Sequence, residues 1–368
     1  MKRRSLTRLT RVAVCAMSLG LTAALVTTTT GALSATPKQH RANVGLLNAS
    51  QCAANKAAGT ITYVSPFGFD ASAGIIDVFA AQKLGYFADM CLNVGFVTNA
   101  ADANELVSSN TAQVTNEGSA ADALEAVANG AHMVGVETSG DTSDYAIITN
   151  RSTTSLKELD GKTLGYYTVL PVVIREMLRV AGANISTIKL IADTNYNPTQ
   201  VVQGTLQGLQ AYQSNQVITL KAAKDPFNEF TPQQFKIPGT YNVMTVNTTF
   251  LSRHRQSVAD FIRADLHALH YCVRYPSACV KIEGLYAKAE GAQFATAHED
   301  AVWALERKLT LSSSLPGKGL GVQTYAEWKP ESAALRAYGV IATVPKLASA
   351  EDVSLVAGLY KGKTLIWP

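Results

Sequence analysis

The sequence has no surplus of charge of either sign once its amino-terminal residues are set aside. Its 32 lysines and arginines exceed its 28 acids by four. The first 35 residues hold no acid and five of the basic side chains: Lys2, Arg3, Arg4, Arg8 and Arg11. The other residues therefore carry 27 basic against 28 acidic side chains, a net charge of −1. Without a basic excess the chain cannot grip phosphates strongly, so we exclude nucleic acid as its partner.

The common catalytic motifs are also missing. The sequence contains no Gly-x-Ser-x-Gly elbow, no His-Glu-x-x-His pair and no Walker loop. A glycine-rich stretch at Gly317–Gly321 has no strand–helix context for phosphate binding and is predicted to be a flexible turn. We therefore expect a binding protein and not an enzyme, with no cofactor and no metal.

Long apolar runs are scarce, and the main one lies at the start of the chain. Basic residues precede an apolar stretch from Val12 to Val26, and small residues follow to about Ala35. Thr22 and Thr27–Thr30 leave this stretch short of the about 20 residues that span a bilayer. We interpret residues 1–35 as a secretory signal peptide and 36–59 as a linker. The mature chain is then expected in the periplasm, outside the cell or at the cell surface.

Cysteine is rare as well. Outside the predicted signal peptide the sequence has Cys52, Cys91, Cys272 and Cys279. An even number in an exported chain predicts disulfides; of the three possible pairings, Cys52–Cys91 with Cys272–Cys279 is the simplest. A metal site would recruit His267 and His270, but the neighbouring cysteines lack the spacing of a zinc knuckle.

What the sequence does have is a repeated alternation of strand and helix patterns. The clearest unit is Leu156–Gly182: a turn at Asp160-Gly161, a short apolar strand, and a helix with Pro171 in its first turn. Similar units run from Thr60 to Val136. This alternation predicts an α/β fold in which mostly parallel sheets are flanked by helices.

The alternation begins anew after Tyr145, which predicts two lobes. We assign 60–144 to the first part of lobe 1, 145–243 to lobe 2, and 244–368 to a return to lobe 1 and carboxyl-terminal helices. The chain is then expected to cross between the lobes near 140–147 and again near 241–248.

Four stretches, in this order and spacing, resemble the solute-binding proteins of ABC importers. They are Ala80–Phe87, Val114–Gly130, Leu156–Gly182, and Leu209–Asn215 together with Phe230-Thr231-Pro232. The sequence is most similar to the branch that binds nitrate, sulfonates and taurine, or thiamine-pyrimidine precursors and riboflavin. The last stretch resembles the pyrimidine and riboflavin subgroup, in which an acid is commoner at Gln210. The resemblance implies a two-lobed periplasmic-binding-protein fold of type II, a small-molecule ligand and a membrane permease as partner. We expect a monomer.

In a two-lobed binder the ligand is lined by loops at the strand ends of both lobes. The candidate ligand-binding residues are Phe67, Asp70, Asn99, Asn116, Ser119, Tyr166, Tyr167, Thr168, Asn195, Tyr212 and Asn215. The aromatic rings could stack on a flat ligand, and each asparagine offers a donor and an acceptor. Capping alone would also explain Asn99 and Ser119. Tyr166 and Tyr167 are neighbours on a strand and face opposite ways, so at most one faces the ligand.

These candidate loops contain no lysine or arginine. An anion would need a cation or a helix amino terminus, which only Ser119 offers. We therefore expect a heteroaromatic ligand such as a thiamine-pyrimidine precursor or a flavin, with a small anion (an alkanesulfonate, taurine or nitrate) as the alternative. A secreted enzyme resembling the pyrimidine synthases is a further alternative, but their cysteine-rich motif is absent.

Overall fold

The computed structural model describes residues 47–71, 73–193, 196–312 and 315–367. The predicted signal peptide, the first part of the predicted linker and Asn195 lie outside the described residues. Within those residues, no helix has both the length and the apolar character to cross a membrane.

The strands form two five-stranded sheets and a short hairpin. In chain order they are β1 Thr60–Val64, β2 Asn93–Val97, β3 Val114–Glu117, β4 Met133–Gly140, β5 Tyr145–Asn150, β6 Thr163–Tyr166, β7 Lys189–Ala192, β8 Gly208–Tyr212, β9 Phe227–Phe230, β10 Tyr241–Asn247, β11 Tyr360–Lys361 and β12 Thr364–Leu365.

The order of strands is β2-β1-β3-β10-β4 in the first sheet and β7-β6-β8-β5-β9 in the second. In each sheet one strand runs against the other four: β10 in the first and β5 in the second. These are the two strands at which the chain arrives from the other lobe. The predicted two-lobed α/β fold is confirmed, and the two sheets are mixed because each accepts one such strand.

Helices cover the sheets of both lobes. In chain order they are α1 Ala49–Ala57, α2 Ile76–Leu84, α3 Tyr86–Asp89, α4 Ala103–Ser108, α5 Ala120–Ala128, α6 Val172–Val180, α7 Thr199–Val202, α8 Gln216–Ala223, α9 Thr248–Arg253, α10 Arg255–Arg274, α11 Pro276–Glu290, α12 Thr296–Ser312, α13 Tyr325–Tyr338 and α14 Leu347–Ala350. Short 3₁₀ turns lie at Phe69–Ala71, Ala73–Ile75, Leu156–Leu159, Ile185–Thr187, Pro232–Phe235 and Ala357–Leu359.

Two large apolar clusters hold these layers together. In the first lobe, Phe87 of α3 stacks on Phe261 of the long helix α10 with ring centroids 4.8 Å apart, and both side chains are fully buried. The second cluster includes Leu124 of α5 together with Ile147 of β5 and Ile174 of α6. Helix α5 belongs to the first lobe, and β5 and α6 belong to the second, so this cluster is a core that the two lobes share. Burial of its apolar surface stabilises the contact between the lobes.

Residues 49–57 are part of the predicted linker, but they form helix α1. The Asn48 side chain caps the helix by accepting a hydrogen bond from Gln51 N–H. The buried Asn55 amide donates to Met90 O at 2.8 Å and to Asp260 Oδ2 at 2.9 Å. The helix is thus held by a buried amide and a disulfide, and it has no apolar stripe that periodicity in the sequence could reveal.

The two crossings between lobes are short. The first lies between Gly140, where β4 ends, and Tyr145, where β5 begins; the second precedes Tyr241, where β10 enters the first sheet. The boundary predicted between residues 243 and 244 therefore falls inside β10. The remainder of the predicted domain division stays a proposal.

Both predicted disulfides are present. Cys52–Cys91 fastens α1 to the turn after α3, with a Cα–Cα distance of 5.2 Å. Cys272–Cys279 links the end of α10 to α11, with a Cα–Cα distance of 5.4 Å.

The disulfides should contribute unequally to stability. The paired cysteines are 39 residues apart for Cys52–Cys91 and 7 apart for Cys272–Cys279. Loop-closure entropy then predicts a loss in the free energy of unfolding of about 4 kcal/mol for Cys52→Ala/Cys91→Ala and about 2 kcal/mol for Cys272→Ala/Cys279→Ala. Urea unfolding of both double variants measures this; a larger loss from the second pair would contradict the expectation.

Candidate ligand-binding site

A cavity of about 1000 Å³ opens between the two lobes. It is lined by residues that follow β1, β3, β6 and β8, and by Asp144 of the first crossing. Ligands of open α/β sheets bind outside the carboxyl ends of the strands, where these loops lie. The volume is at the upper end of what small-molecule sites use, about 300–1,000 Å³.

Most of the predicted ligand-binding residues meet at this cavity. Those that line it are Phe67, Asp70, Asn99, Asn116, Tyr167, Thr168, Tyr212 and Asn215. Ser119 and Tyr166 do not line it, and Asn195 lies outside the described residues. Contact of these residues with a ligand stays a prediction.

Ser119 is buried and has a capping role. Its hydroxyl accepts a hydrogen bond from Asp122 N–H at 3.2 Å. The first N–H of α5 donates to Thr240 Oγ1 at 2.6 Å, and the second donates to Glu331 Oε2 at 2.9 Å. Acceptors of the protein itself therefore use the helix amino terminus, which leaves no free donors there for an external anion.

Tyr166, the last residue of β6, and Tyr167, which follows it, face opposite ways, as predicted from strand geometry. Tyr166 packs against the core shared by the lobes. Tyr167 stacks on Phe67 of the first lobe, with centroids 5.5 Å apart and planes 13° from parallel, and its hydroxyl donates to Pro66 O at 3.0 Å. Burial, and then the charge of Asp70, raise the pKa of the Tyr167 hydroxyl. The two rings thus clasp the lobes together, and a ligand ring can enter between them only if the lobes part.

Further aromatic rings continue this surface into the cavity. Tyr212 stacks on Tyr145 at 5.1 Å and meets Phe67 edge to face at 6.1 Å. Tyr196 lies 5.1 Å from Tyr167. Aromatic faces from both lobes are therefore available to a flat ligand. Tyr145 and Tyr196 were not predicted as site residues, because a tyrosine in a buried strand or turn carries no pattern that separates it from core.

The predicted asparagines serve mainly to hold the cavity wall. Asn116 Oδ1 accepts from Tyr63 Oη at 2.6 Å, and its Nδ2 donates to Asn242 Oδ1 at 2.8 Å. Asn99 adopts a left-handed conformation, with φ of 56°, and its N–H donates to Phe67 O, so it does not cap α4. Asn215 Oδ1 lies 3.1 Å from His298 Nε2 of α12.

The cavity is acidic. Its carboxyl groups belong to Asp70, Glu105, Glu117, Asp122, Glu125, Asp144 and Glu306. None of the described residues that line it is a lysine or an arginine. An anionic ligand would therefore find no cationic lysine or arginine among the described lining residues to balance its charge.

Two of these carboxyl groups are already satisfied inside the protein. Asp122 accepts from Ser119 Oγ, Tyr145 Oη and Val172 N–H at 2.8–3.0 Å. Glu125 forms an ion pair with Arg175, which does not line the cavity. Their negative charge is largely committed to these partners.

Asp144 and Glu306 form a buried pair bridged by Ser214. Ser214 Oγ lies 2.5 Å from Asp144 Oδ2 and 2.8 Å from Glu306 Oε1. Burial, and then the charge of Glu306, raise the pKa of Asp144 well above its usual range. Burial raises the pKa of Glu306 to about 7. No pattern in the sequence indicates this arrangement, because Asp144 lies on a crossing, Ser214 on a loop and Glu306 on a carboxyl-terminal helix.

The sequence of this chain resembles a known protein family. A family model described as NMT1/THI5 like matches residues 72–279. No curated protein matches the sequence. The family match spans more than half of the chain, so it shows which family the chain belongs to.

Similar solved structures share the fold at low identity. A protein of Bordetella bronchiseptica superposes with a TM-score of 0.62 at 15% identity, over 81% of this chain and 95% of that one. The ligand-binding component of an ABC-type import system from Staphylococcus aureus, with zinc bound, gives 0.59 at 9%, over 81% and 97%. The alkanesulfonate-binding protein SsuA from Xanthomonas axonopodis, bound to MOPS, gives 0.55 at 13%, over 81% and 96%.

Glu306 should make stability depend on pH. Its carboxyl has a reference pKa of 4.5 and a folded value of about 7. The folded chain therefore retains a proton that the unfolded chain releases, and this stability is complete below about pH 4.5 and lost as the pH rises to about 7. Glu306→Gln should flatten the pH dependence of the unfolding free energy over this range by up to about 1.4 kcal/mol per pH unit.

Denaturant unfolding at several pH values measures this slope. Equal slopes in wild type and Glu306→Gln would refute the assignment.

Proposed function

This chain belongs to the NMT1/THI5-like family, and we propose that it is the solute-binding component of an ABC importer that captures a small heteroaromatic ligand between its lobes. The observation that carries the proposal is an interlobe cavity with aromatic faces on both sides and no lysine or arginine among its described lining residues. Two proteins of the same fold are described as an ABC import component and an alkanesulfonate binder. Both are less than 25% identical to this chain, so they support the architecture alone.

The residue types of the cavity favour a heteroaromatic ring over a small anion. Tyr212 and Phe67 present ring faces and edges that can pack on a flat ligand. The helix start at Ser119, which was the one candidate anion site, has its N–H groups bonded to Thr240 and Glu331. A sulfonate or nitrate would find acids in this cavity and no compensating cation.

Capture requires opening and closing of the lobes. In this structure the Phe67–Tyr167 stack and the hydrogen bond from Tyr167 to Pro66 already join them. A ligand that contacts both lobes stabilises the closed form, because only a difference in affinity between the open and closed forms shifts their populations. The closed form is then the one that a membrane permease would recognise.

We further propose that the mature chain acts outside the cytoplasm as a monomer. The predicted signal peptide and the two disulfides support this, since disulfides persist in oxidising compartments. We propose binding without catalysis. The described residues that line the cavity include no cysteine, whereas the pyrimidine synthases that share this fold use a cysteine-rich motif.

Thermal melting against a ligand panel tests the function. The panel holds aminopyrimidines, riboflavin, taurine, alkanesulfonates and nitrate. A ligand at about 100 times its dissociation constant stabilises the fold by about 2.7 kcal/mol, which is a clear shift. We expect the shift with an aminopyrimidine or a flavin. A shift with sulfonates or nitrate alone would overturn the heteroaromatic assignment.

A single variant then tests the aromatic surface. Tyr212→Leu keeps much of the side-chain volume but removes the ring, and should weaken binding by up to about 10-fold, because one aromatic contact contributes about 0.5–1.5 kcal/mol. Tyr325→Ala removes an exposed ring outside the cavity and should leave affinity unchanged. Titration calorimetry with the panel's best ligand compares the two; equal affinities would contradict the stacking role.

A further inference from the structure

We infer that the buried end of the cavity, at Asp144, Ser214 and Glu306, binds a positively charged nitrogen group of the ligand. This inference rests on the proposed function, because it names the charge class of the ligand that the same cavity takes. It concerns residues that lie on the first crossing, on the loop after β8 and on α12.

The first observation is an acceptor without a donor. Glu306 is only 6% exposed and lines the cavity. Its Oε2 makes no hydrogen bond of standard geometry, and neither does the Tyr241 hydroxyl, whose interaction with this carboxyl lowers the pKa of Glu306. A buried carboxyl oxygen without a donor is costly, so a ligand that brings an N–H group gains from meeting it.

Glu306 Oε2 can lie close to the backbone of residue 74, in a 3₁₀ turn, because that residue is a glycine. A Cβ atom at Gly74 would lie 2.7 Å from Glu306 Oε2, well inside contact distance. Gly74 also lines the cavity, and its carbonyl accepts from Asn242 Nδ2 at 3.0 Å, which fixes its position. The backbone of Gly74 therefore packs directly against Oε2, which has almost no accessible surface in this structure.

The second observation is a shortage of protons at Ser214. A serine hydroxyl has one proton to donate, yet its oxygen lies within bonding distance of two carboxyl groups, at 2.5 Å from Asp144 and 2.8 Å from Glu306. Both contacts are hydrogen bonds only if one of the carboxyls is protonated. The pair therefore holds a proton, and a cationic nitrogen can replace that proton when it binds.

The surrounding charges favour this replacement. The charge of Asp77 acts on Glu306, and the charge of Glu229 acts on Asp144, both in the direction that disfavours ionisation without a cation. Tyr212, in the same cavity, offers a ring face that also attracts a cation. The ligand class that fits is a ring carrying an ammonium or amidinium group, protonated at neutral pH.

Titration calorimetry with two matched series of probes tests the charge class. One series is tryptamine, tryptophol and indole-3-acetate; the other is 5-(aminomethyl)pyrimidine, 5-(hydroxymethyl)pyrimidine and pyrimidine-5-carboxylate. In at least one series the ammonium compound should bind about 10-fold tighter than the alcohol, as expected for a charge-assisted hydrogen bond, and the carboxylate should bind weakest. Repeating the titration at pH 6 in two buffers of different ionisation enthalpy should show release of about one proton.

Variants locate the effect. Glu306→Gln should reduce the preference for the ammonium compound to about 3-fold or less and abolish proton release. Glu158→Gln, which alters an exposed carboxyl outside the cavity, should change neither. Glu117→Gln is a competing test, because Glu117 Oε1 is also buried without a partner in the cavity.

The outcomes separate the two proposals. If the alcohols bind as tightly as the ammonium compounds in both series, the charge assignment is overturned while the solute-binding function stands. If the preference survives in Glu306→Gln and disappears in Glu117→Gln, the location is overturned. If none of the six probes binds and the ligand panel also causes no thermal shift, both proposals fail together.

Discussion

The double crossing of the chain between its lobes is the constraint on which the rest of the structure depends. Each crossing brings one reversed strand into a sheet of otherwise parallel strands. The first crossing places Asp144 against Ser214, and the second places Thr240 at the start of α5. The same short segments that join the lobes therefore place an acid in the cleft and occupy the first of the α5 helix donors that an anion would need.

The ionisable side chains that line the cleft determine which class of ligand it can bind. Several carboxyl groups reach it, and none of the described lining residues is a lysine or arginine. Asp122 and Glu125 are satisfied from within the protein, whereas Glu306 is not. Because burial penalises an unpaired carboxylate, the cleft retains protons until a cation replaces them, and its affinity for a ligand is coupled to their release. The likeness in fold to a sulfonate-binding protein concerns the architecture alone.

In the proposed function, the aromatic surface and the acidic pair serve different steps of ligand capture. Phe67 and Tyr167 stack across the two lobes. Tyr212 lies close to the acidic pair, since burial and also the charges of Asp144 and Glu306 raise the pKa of its hydroxyl. Opening therefore costs the Phe67–Tyr167 stack, and the interactions that the ligand makes inside the cleft must offset that loss for the closed form to return.

Local sequence patterns are enough to specify most elements and their order. The apolar face of α6, with Val173, Ile174 and Met177 fully buried, and the cap of α5 at Ser119 follow from local periodicity and local hydrogen bonding. The buried acidic pair and the anchoring of helix α1 depend instead on how the chain folds back on itself. Ser214 is 70 residues from Asp144 and 92 from Glu306, and α1 is held by residues as distant as Asp260. Contacts between residues so far apart leave no periodic trace in the sequence, because packing and burial, not local conformation, bring them together.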